Sequence, residues 1–321
     1  TPWLTERHGY DPTLSEEVKE RLRQQAEIQE VFDRKTLLSV VSDADAIHGN
    51  GSLRVDEELL AAAPKLKMVA LASVGYNNFD IEAMRAHGVL GAHTPGVLND
   101  SVADLAIALM IAAARRVCEW DRYMREGRWN GSEGKAFFGL EVSGKTLGIL
   151  GMGRIGQAIA RRAVLGMGMK VIYHNRHTNA EAEQKYGAVY VSKEELMKQA
   201  DFVVIVTPLT EETRGMVGEA EINLMKPTGI LVNVARGPVV DEAALTQALA
   251  ARRIYAAGLD VFEEEPTPAD NPLLKLDNVV HVPHIGTATQ EVRDKMAMLA
   301  ADNIVACLRG EVPPTVVPEL R

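Results

Sequence analysis

The sequence predicts an α/β fold with doubly wound parallel sheets, and three observations lead to this prediction. Short runs rich in Val, Ile and Ala alternate with helix-length amphipathic segments, the pattern that βαβ units produce. A G-x-G-x-x-G sequence follows one apolar run and precedes a helical segment. The length of 321 residues, 46% of them hydrophobic, is sufficient for about two domains.

Charge and composition exclude several classes of protein. The net charge is -9, and the 44 acidic and 35 basic side chains are spread along the chain, so no basic stripe is available for nucleic acid. We find no apolar run that could span a bilayer and no charged-then-apolar leader, so a cytoplasmic protein without a membrane partner is expected. Cys118 and Cys307 lack the spacing of a metal site or a disulfide framework, and no metal is expected. Because the first residue is Thr1, a short preceding segment is expected as well.

The first part of the chain predicts a small unit that ends near Pro95. Residues 46–49 and 68–72 are typical of strands, and residues 14–23 and 80–86 are typical of helices.

A long helix is expected next. Asn99 and Asp100 are good N-cap types, the helix runs through 102–125, and Gly127 ends it. The helix is followed by an arm that contains Trp129, Phe137 and Phe138.

The remaining segments predict a second sheet and a returning helix. Six strands are expected, at residues 146–150, 170–173, 202–206, 229–233, 256–259 and 279–282. A last helix over 290–309 could carry the chain back to the first unit. We therefore expect two Rossmann-like domains, namely a discontinuous smaller substrate domain of residues 1–97 plus 290–321 and an NAD(P)-binding domain of residues 98–289.

The glycine-rich segment GMGRIG has the spacing of a dinucleotide-binding loop. Gly151 permits a tight turn, Gly153 lets a pyrophosphate approach the backbone, and Gly156 lets the helix pack on the strand. The helix N-terminus offers free N–H groups and a partial positive charge to the phosphates. Because a strand precedes the loop and a helix follows it, chance is a poor explanation. A nicotinamide dinucleotide is expected here, with Arg154 and Ile155 also in contact with it.

The residues after the second of these strands indicate which dinucleotide is preferred. An NAD-selective site usually has an acid about twenty residues beyond the loop, where it binds the ribose hydroxyls. Asn175, Arg176 and His177 take that place here. An arginine can pair with a 2'-phosphate that an acid would repel, so NADP(H) is favoured and NAD(H) is possible. The alternative is that Arg176 is a solvated surface residue.

Three separated segments offer the groups that reduction of a 2-keto acid requires, a cation for the carboxylate or carbonyl and an acid that protonates the oxygen. Arg236 follows a strand, where ligands bind in open α/β sheets, and its guanidinium suits a carboxylate. Glu265 ends an acidic run that would ordinarily be a solvated loop. His284 follows the last strand, although one such histidine is more often structural than catalytic. Four other histidines have no comparable support and are interpreted as structural or surface residues: His87, His93, His174 and His281.

Six ordered motifs resemble the D-isomer-specific 2-hydroxyacid dehydrogenase family, from about Asp45 to the end of the chain. They are SVGYNNFD (73–80), HTPGVLNDSVAD (93–104), GMGRIG (151–156), VNVARGPVVDE (232–242), GLDVFEEEP (258–266) and VPHIGTAT (282–289). Within the family, the pattern is most similar to bacterial glyoxylate/hydroxypyruvate reductases that also reduce 2-ketoaldonates such as 2-ketogluconate.

The resemblance implies a division of labour among the candidate residues. Arg236 is implied to bind the substrate carboxylate and carbonyl, His284 to be the general acid/base, and Glu265 to orient it. A carboxylate beside an imidazole favours the protonated ring, which suits a proton donor near neutrality. The backbone amides of Val74 and Gly75 are implied to bind the substrate carboxylate from the small domain.

Cofactor contacts and oligomeric state are also implied. Val102 replaces the Thr that many relatives carry, which puts a side-chain phosphate contact there in doubt. The long helix and the arm resemble dimer-forming elements, so a homodimer is expected; packing within the domain is the alternative for Trp129 and Phe138. Positions that line the nucleotide or lie beside the nicotinamide are matched by Thr207, Pro208, Val234, Ala235, Arg236, Asp260, His284 and Gly286.

The expected function is therefore that of an NADP(H)-preferring reductase that converts small 2-keto acids to D-2-hydroxy acids. Glyoxylate, hydroxypyruvate and 2-ketogluconate are candidate substrates, and the sequence does not choose among them, because one methylene shifts preference by only about 1 to 3 kcal/mol. Relatives that oxidise formate or phosphite share most of these motifs and are an alternative within the enzymes of the family. Nucleotide-sensing relatives, including transcriptional corepressors, carry the same three residues; the acidic composition and the lack of extra interaction tails count against that class.

Overall fold

The alternating apolar and amphipathic segments fold into parallel strands joined by helices. The computed structural model describes residues 2–5, 15–31 and 33–321. The chain divides into two compact units: a smaller unit, Thr1–Leu98 with Ala288–Arg321, and a larger unit, Asn99–Thr287. Each unit contains one parallel sheet, so the predicted α/β class is confirmed. Among the described residues, none of the helices combines the length and the apolar character that a bilayer span requires.

The smaller unit has a five-stranded sheet in the order β2-β1-β3-β4-β5. With labels in chain order, its strands are β1 Pro2–Thr5, β2 Glu27–Glu30, β3 Ala46–Gly49, β4 Met68–Leu71 and β5 Leu90–Ala92. Its helices are α1 Glu16–Arg23, α2 Arg34–Val40, α3 Glu57–Ala62, α4 Ile81–Ala86 and α12 Gln290–Leu308. The last helix packs against α1, β3 and β4, so the C-terminal segment completes the core of this unit.

The larger unit has a seven-stranded sheet in the order β12-β11-β10-β9-β6-β7-β8. Its strands are β6 Thr146–Leu150, β7 Lys170–His174, β8 Val189–Tyr190, β9 Phe202–Ile205, β10 Ile230–Asn233, β11 Ala256–Leu259 and β12 Val279–His281. Its helices are α5 Asn99–Arg115, α6 Val117–Arg125, α7 Arg154–Met167, α8 Ala180–Tyr186, α9 Lys193–Gln199, α10 Glu219–Leu224 and α11 Glu242–Ala250.

The strand order of the larger sheet reverses beside β6. The chain proceeds from β6 to β7 on one side and returns to pair β9 with β6 on the other. In open sheets of this kind, ligands bind outside the carboxyl ends of the strands at the point of reversal. The sheet topology therefore predicts a ligand site among the loops that follow β6, β9, β10, β11 and β12.

Small residues let α5 lie directly on this sheet. A Cβ atom at Gly258, in the middle of β11, would lie 2.9 Å from Cβ of Leu109 in α5. Ala103, Ala106 and Met110 on the same helix are fully buried. Because the interior is packed to near-crystalline density, a larger residue at position 258 would push the helix away from the strand.

The prediction of one long helix over residues 102–125 is wrong, because this segment belongs to two helices, α5 and α6. Arg116 has a φ of 56°, a left-handed conformation that interrupts the helix, and α6 begins at the next residue. The Arg116 guanidinium donates to both carboxylate oxygens of Glu119, at 2.7 and 2.6 Å, and lies 5.1 Å from the centre of the Phe137 ring. These contacts stabilise a break between the two helices at a position where the sequence has neither Gly nor Pro.

Four strands lie outside the sequence prediction, and the larger sheet has seven strands rather than six. β1 and β2 are four residues each, β5 has three residues, and β8 has two, both exposed at a sheet edge. Edge strands are often this short, and the polar EIQE of β2 does not show the apolar run typical of a buried strand.

His48 is a buried titratable residue in the smaller unit, and its protonation is expected to affect the stability of that unit. It lies on β3, it is 3% exposed, and its Nε2 donates to the carbonyl of Ala297 on α12 at 3.0 Å. Burial lowers the pKa of the His48 imidazole below its ordinary value, although the bond to Ala297 acts in the opposite direction. The unfolded chain therefore binds more protons than the folded chain below about pH 6.5, and stability falls as the pH falls.

We expect the free energy of unfolding to fall below pH 6.5 by up to about 1.4 kcal/mol per pH unit on account of His48. His48→Gln removes the titrating ring and should flatten this part of the profile, measured by urea denaturation between pH 7.5 and 5. His87→Gln, at an exposed pair with Glu57, serves as the matched control. Identical slopes for wild type and His48→Gln would contradict the assignment.

Candidate active site

The glycine-rich loop joins β6 to α7. At two of its three glycines, neighbouring backbone atoms lie so close that a side chain would not fit. Gly151 has a φ of 105°, and a Cβ atom there would lie 2.9 Å from the backbone of Val206. A Cβ atom at Gly156 would collide with the carbonyl oxygen of Gly151. Both positions therefore require glycine for reasons internal to the fold.

Gly153 differs from the other two, because a Cβ atom there would have no described protein atom within 4 Å. It is the N-cap of α7, a helix of 14 residues whose first N–H groups and partial positive charge suit an anion. Arg154 is exposed and Ile155 is half-buried at the start of that helix. An open glycine at a helix N-terminus fits the pyrophosphate of a dinucleotide.

Two asparagines fasten the loop after β7 to the glycine-rich loop. The N–H of Met152 donates to Oδ1 of Asn175 at 2.7 Å, and Nδ2 of Asn179 donates to the carbonyl of Met152 at 2.7 Å. Asn179 is also the N-cap of α8, and its N–H donates to the hydroxyl of Tyr173 at 2.6 Å. The Asn175 carboxamide thus has a partner inside the protein, and Asn179 was missed at the sequence level although it precedes a helix as an N-cap type.

Arg176 and His177 project from the same loop and are exposed. Within the described chain, neither side chain forms an ion pair. The loop that replaces the ribose-binding acid therefore presents a guanidinium and an imidazole to solvent, on a backbone held in place by the two asparagines.

The structure brings His284 and Glu265 together. Nδ1 of His284 donates to Oε2 of Glu265 at 2.7 Å, and the N–H of Phe262 donates to Oε1 of Glu265 at 3.0 Å. Burial alone would raise the pKa of Glu265, but the hydrogen bond and charge of His284, the Phe262 N–H and the charge of Arg236 lower it overall. Since Nδ1 is engaged, Nε2 is the ring atom that can exchange a proton with a ligand.

Asp260 fixes the backbone that carries His284. Its carboxylate accepts the N–H groups of Ile285 and Gly286, at 2.6 and 3.0 Å, and its carbonyl accepts the N–H of His284 at 2.9 Å. These bonds stabilise the left-handed φ of 51° at His284. Burial raises the pKa of Asp260 to about 6, against the opposing effects of the two N–H donors and the charge of His284.

Arg236 follows β10 and its carbonyl and side chain are held locally. Nη1 donates to the carbonyl of Ala235 at 2.7 Å, and Nδ2 of Asn233 donates to the carbonyl of Arg236 at 3.1 Å. Burial lowers the pKa of the Arg236 guanidinium, whereas the charges of Glu265 and Asp260 raise it. An arginine nevertheless keeps its charge at neutral pH. Asn233, a buried polar residue at the end of an apolar strand, was missed at the sequence level.

The other candidate cofactor residues lie in the loops after neighbouring strands. Thr207 and Pro208 follow β9, and the hydroxyl of Thr207 contacts Sδ of Met216 at 3.7 Å. Val234 and Ala235 follow β10 and are buried, and Gly286 lies in the loop after β12, where its carbonyl accepts from Ser101. These residues share the sheet edge formed by the carboxyl ends of the strands.

Val74 and Gly75 belong to the smaller unit, in the loop after β4. The carbonyl of Val74 accepts from Nδ1 of His93 at 2.9 Å, and the carbonyl of Gly75 accepts from the hydroxyl of Ser73 at 2.6 Å. Among the residues that the structure describes, none accepts a hydrogen bond from the N–H of Val74 or of Gly75.

Comparison with known proteins identifies the family. The family model described as "D-isomer specific 2-hydroxyacid dehydrogenase, NAD binding domain" matches residues 107–286. Glyoxylate/hydroxypyruvate reductase B of Serratia proteamaculans is 47% identical over 311 residues, 95% of each chain. Glyoxylate reductase of Thermococcus litoralis is 51% identical over 288 residues, which are 88% of this chain and 86% of that protein.

Solved structures agree with the sequence comparison. The crystal structure of an NADPH-dependent glyoxylate/hydroxypyruvate reductase from Sinorhizobium meliloti, in complex with NADP and malonate, has a TM-score of 0.87 at 32% identity. The match covers 99% of this chain and 97% of that chain. This chain therefore belongs to the D-isomer-specific 2-hydroxyacid dehydrogenase family. It is an oxidoreductase with an NAD-binding domain, as the motifs predict.

The two kinds of glycine in the loop give a matched pair of variants. Gly156→Ala should destabilise the protein by roughly 1 to 3 kcal/mol, because its Cβ meets a backbone carbonyl that cannot give way. Gly153→Ala should change stability by less than about 0.5 kcal/mol, yet weaken NADPH binding. Urea denaturation and NADPH fluorescence titration measure the two effects. Equal destabilisation by both variants, or unchanged NADPH affinity in a folded Gly153→Ala, would contradict this interpretation of the loop.

Proposed function

We propose that this chain is an NADP(H)-preferring reductase that converts small 2-keto acids into D-2-hydroxy acids. The observation that carries the proposal is the His284–Glu265 hydrogen bond of 2.7 Å, formed at the same sheet edge as Arg236 and the glycine-rich loop. The names of the relatives, which are glyoxylate and hydroxypyruvate reductases, favour glyoxylate and hydroxypyruvate as substrates. 2-Ketogluconate is the third candidate.

The proposed chemistry assigns one task to each side chain. The reduced nicotinamide, when bound, supplies the hydride. Arg236 pairs with the substrate carboxylate and polarises the carbonyl, and the charged guanidinium suits both oxygens. His284 donates a proton from Nε2 to the carbonyl oxygen, while Glu265 accepts Nδ1–H and stabilises the imidazolium before the transfer. After the transfer the ring is neutral and the Nδ1 bond to Glu265 is kept, so the ring stays oriented.

Preference for NADP(H) is proposed from the loop after β7. Because Oδ1 of Asn175 accepts from Met152, recognition of the ribose falls to Arg176 and His177. Both are exposed, and a guanidinium can bind a 2'-phosphate through two parallel hydrogen bonds. The S. meliloti reductase, an NADPH-dependent enzyme crystallised with NADP, supports this preference.

The amides of Val74 and Gly75 are proposed to bind the substrate carboxylate. Their N–H groups have no acceptor among the described residues, and oriented pairs of backbone N–H groups favour anions.

A homodimer is proposed from the surface of the larger unit. Trp129 and Phe138 are 64% and 67% exposed, so packing within the unit does not cover them, and Leu165 on α7 is 74% exposed. A large exposed apolar surface typically marks a protein interface. Sedimentation velocity at micromolar concentration tests this proposal, and a stable monomer would refute it.

The central test is a substrate panel. We expect oxidation of NADPH with glyoxylate, hydroxypyruvate or 2-ketogluconate, followed by the absorbance of the reduced nicotinamide. Tight NADPH binding without turnover on any 2-keto acid would instead favour a nucleotide-sensing protein.

His284→Asn tests the role of His284 as the general acid. Asn is chosen because it tolerates the left-handed backbone conformation that His284 adopts, so the variant should keep the local fold. It should lower kcat by roughly 10²- to 10⁴-fold, the usual contribution of general acid catalysis. NADPH affinity should be nearly unchanged, and unchanged turnover would remove His284 from the mechanism.

Arg176→Ala tests the cofactor preference. We expect the KM for NADPH to rise roughly tenfold or more, because a charge-assisted pair with the 2'-phosphate is lost, while the KM for NADH changes little. Arg309→Ala, at an exposed arginine of the smaller unit, is the matched control. Equal effects on both cofactors would exclude the proposed contact with the 2'-phosphate.

A further inference from the structure

The loop after β4 has three successive carbonyl groups, and each accepts a hydrogen bond from the protein. The carbonyl of Ser73 accepts from the N–H of Thr94 at 2.8 Å. The carbonyl of Val74 accepts from Nδ1 of His93 at 2.9 Å, and that of Gly75 accepts from the hydroxyl of Ser73 at 2.6 Å. No helix or strand supplies these bonds, so the conformation of the loop depends on them.

The two donors from residues 93 and 94 determine which way the amides face. In a trans peptide, the C=O of one residue and the N–H of the next point in opposite directions. The carbonyls of Ser73 and Val74 both point toward the His93–Thr94 segment, so the N–H groups of Val74 and Gly75 both point away from it. In an extended strand, successive N–H groups would point to opposite sides. The bonds from residues 93 and 94 therefore create a pair of N–H groups that face the same way.

His93 is itself held in place from several sides. Its ring lies edge-on to Tyr76, with 5.1 Å between the ring centres and an interplanar angle of 89°. Its N–H donates to the carbonyl of Thr315 at 3.2 Å, and its carbonyl accepts from the hydroxyl of Thr315 at 2.6 Å. Asn303 on α12 bonds both the N–H and the hydroxyl of Thr315, at 2.8 Å each. The backbone of His93 is thus anchored to the C-terminal segment that completes the core of the smaller unit.

We propose that His93 is a positioning residue that holds the Val74 and Gly75 amides in the conformation that binds a carboxylate. This inference rests on the proposed function and extends it to a side chain that need not touch the substrate. His93 orients the peptide between Val74 and Gly75, which carries the N–H of Gly75, and the N–H of Thr94 orients the peptide between Ser73 and Val74, which carries the N–H of Val74. An anion binds tightly to such a pair only when the N–H groups are fixed beforehand, because otherwise it bears the cost of ordering them.

The test compares His93→Leu with His93→Asn, whose Nδ2 occupies the same place along the side chain as Nδ1 of histidine. His93→Leu should raise the KM for glyoxylate, and weaken oxalate binding to the NADP⁺ complex, by roughly tenfold, the scale of one lost orienting hydrogen bond. kcat and NADPH affinity should change far less, and His93→Asn should restore most of the loss. His87→Leu, which removes a histidine paired with Glu57 in the same unit, should leave all values unchanged. Oxalate binding is followed by intrinsic tryptophan fluorescence.

Several outcomes would overturn the proposal. Unchanged KM and oxalate affinity in His93→Leu, failure of His93→Asn to restore them, or a joint fall of kcat and NADPH affinity would show that His93 has only a structural role. If His93→Leu does not fold, His93→Gln applies the same test, since its amide nitrogen lies one bond farther along the side chain than Nδ1 of histidine, and an unchanged KM would count against the proposal. If the wild-type chain reduces no 2-keto acid, the proposed function fails, while the oxalate titration still reports on the loop.

Discussion

The candidate chemistry of the larger unit depends on the parallel alignment of β6, β9, β10, β11 and β12. Because these strands run in one direction, their carboxyl ends meet at one edge, and the loops that follow them lie side by side. Residues as distant in sequence as Gly151 and His284 are brought to that edge by the pairing of these strands. The loops at this edge carry polar groups and unusual backbone conformations, such as the left-handed φ of 51° at His284.

Buried acceptors and donors then fix those loops. Asp260 is 2% exposed and holds the backbone of residues 284–286, and Asn233 is 2% exposed and holds that of residues 235–236. A buried polar group without partners would cost roughly 1 to 3 kcal/mol, and here each is satisfied by backbone groups of the loop it orients. These buried groups therefore set the backbone positions from which the His284 and Arg236 side chains extend.

Much of this arrangement could be predicted from the sequence. The buried strands of the larger sheet have continuous apolar runs such as FVVI, so their existence and approximate bounds were predicted, and the glycine spacing identified the loop after β6. The break at Arg116 could not be predicted, because it depends on the side-chain geometry of a local ion pair with Glu119 and on contact with the ring of Phe137, rather than on Gly or Pro. Short edge strands such as β8 bury too little apolar surface to leave a pattern. The roles of Asn179 and His93 come from hydrogen bonds between segments distant in sequence, which spacing alone does not reveal.

The bond between Met152 and Asn175 has an evolutionary consequence. Among the described residues, only the oxygen of that carboxamide has a hydrogen-bond partner, the Met152 N–H, and an aspartate offers an oxygen at the same place. Asn175→Asp would thus conserve the fastening of the two loops while adding the negative charge that suits free ribose hydroxyls. If Arg176 binds the 2'-phosphate as proposed, this replacement would place a carboxylate beside that arginine and weaken the preference for a phosphorylated ribose. The cofactor preference can therefore shift without loss of the hydrogen bond that joins the two loops.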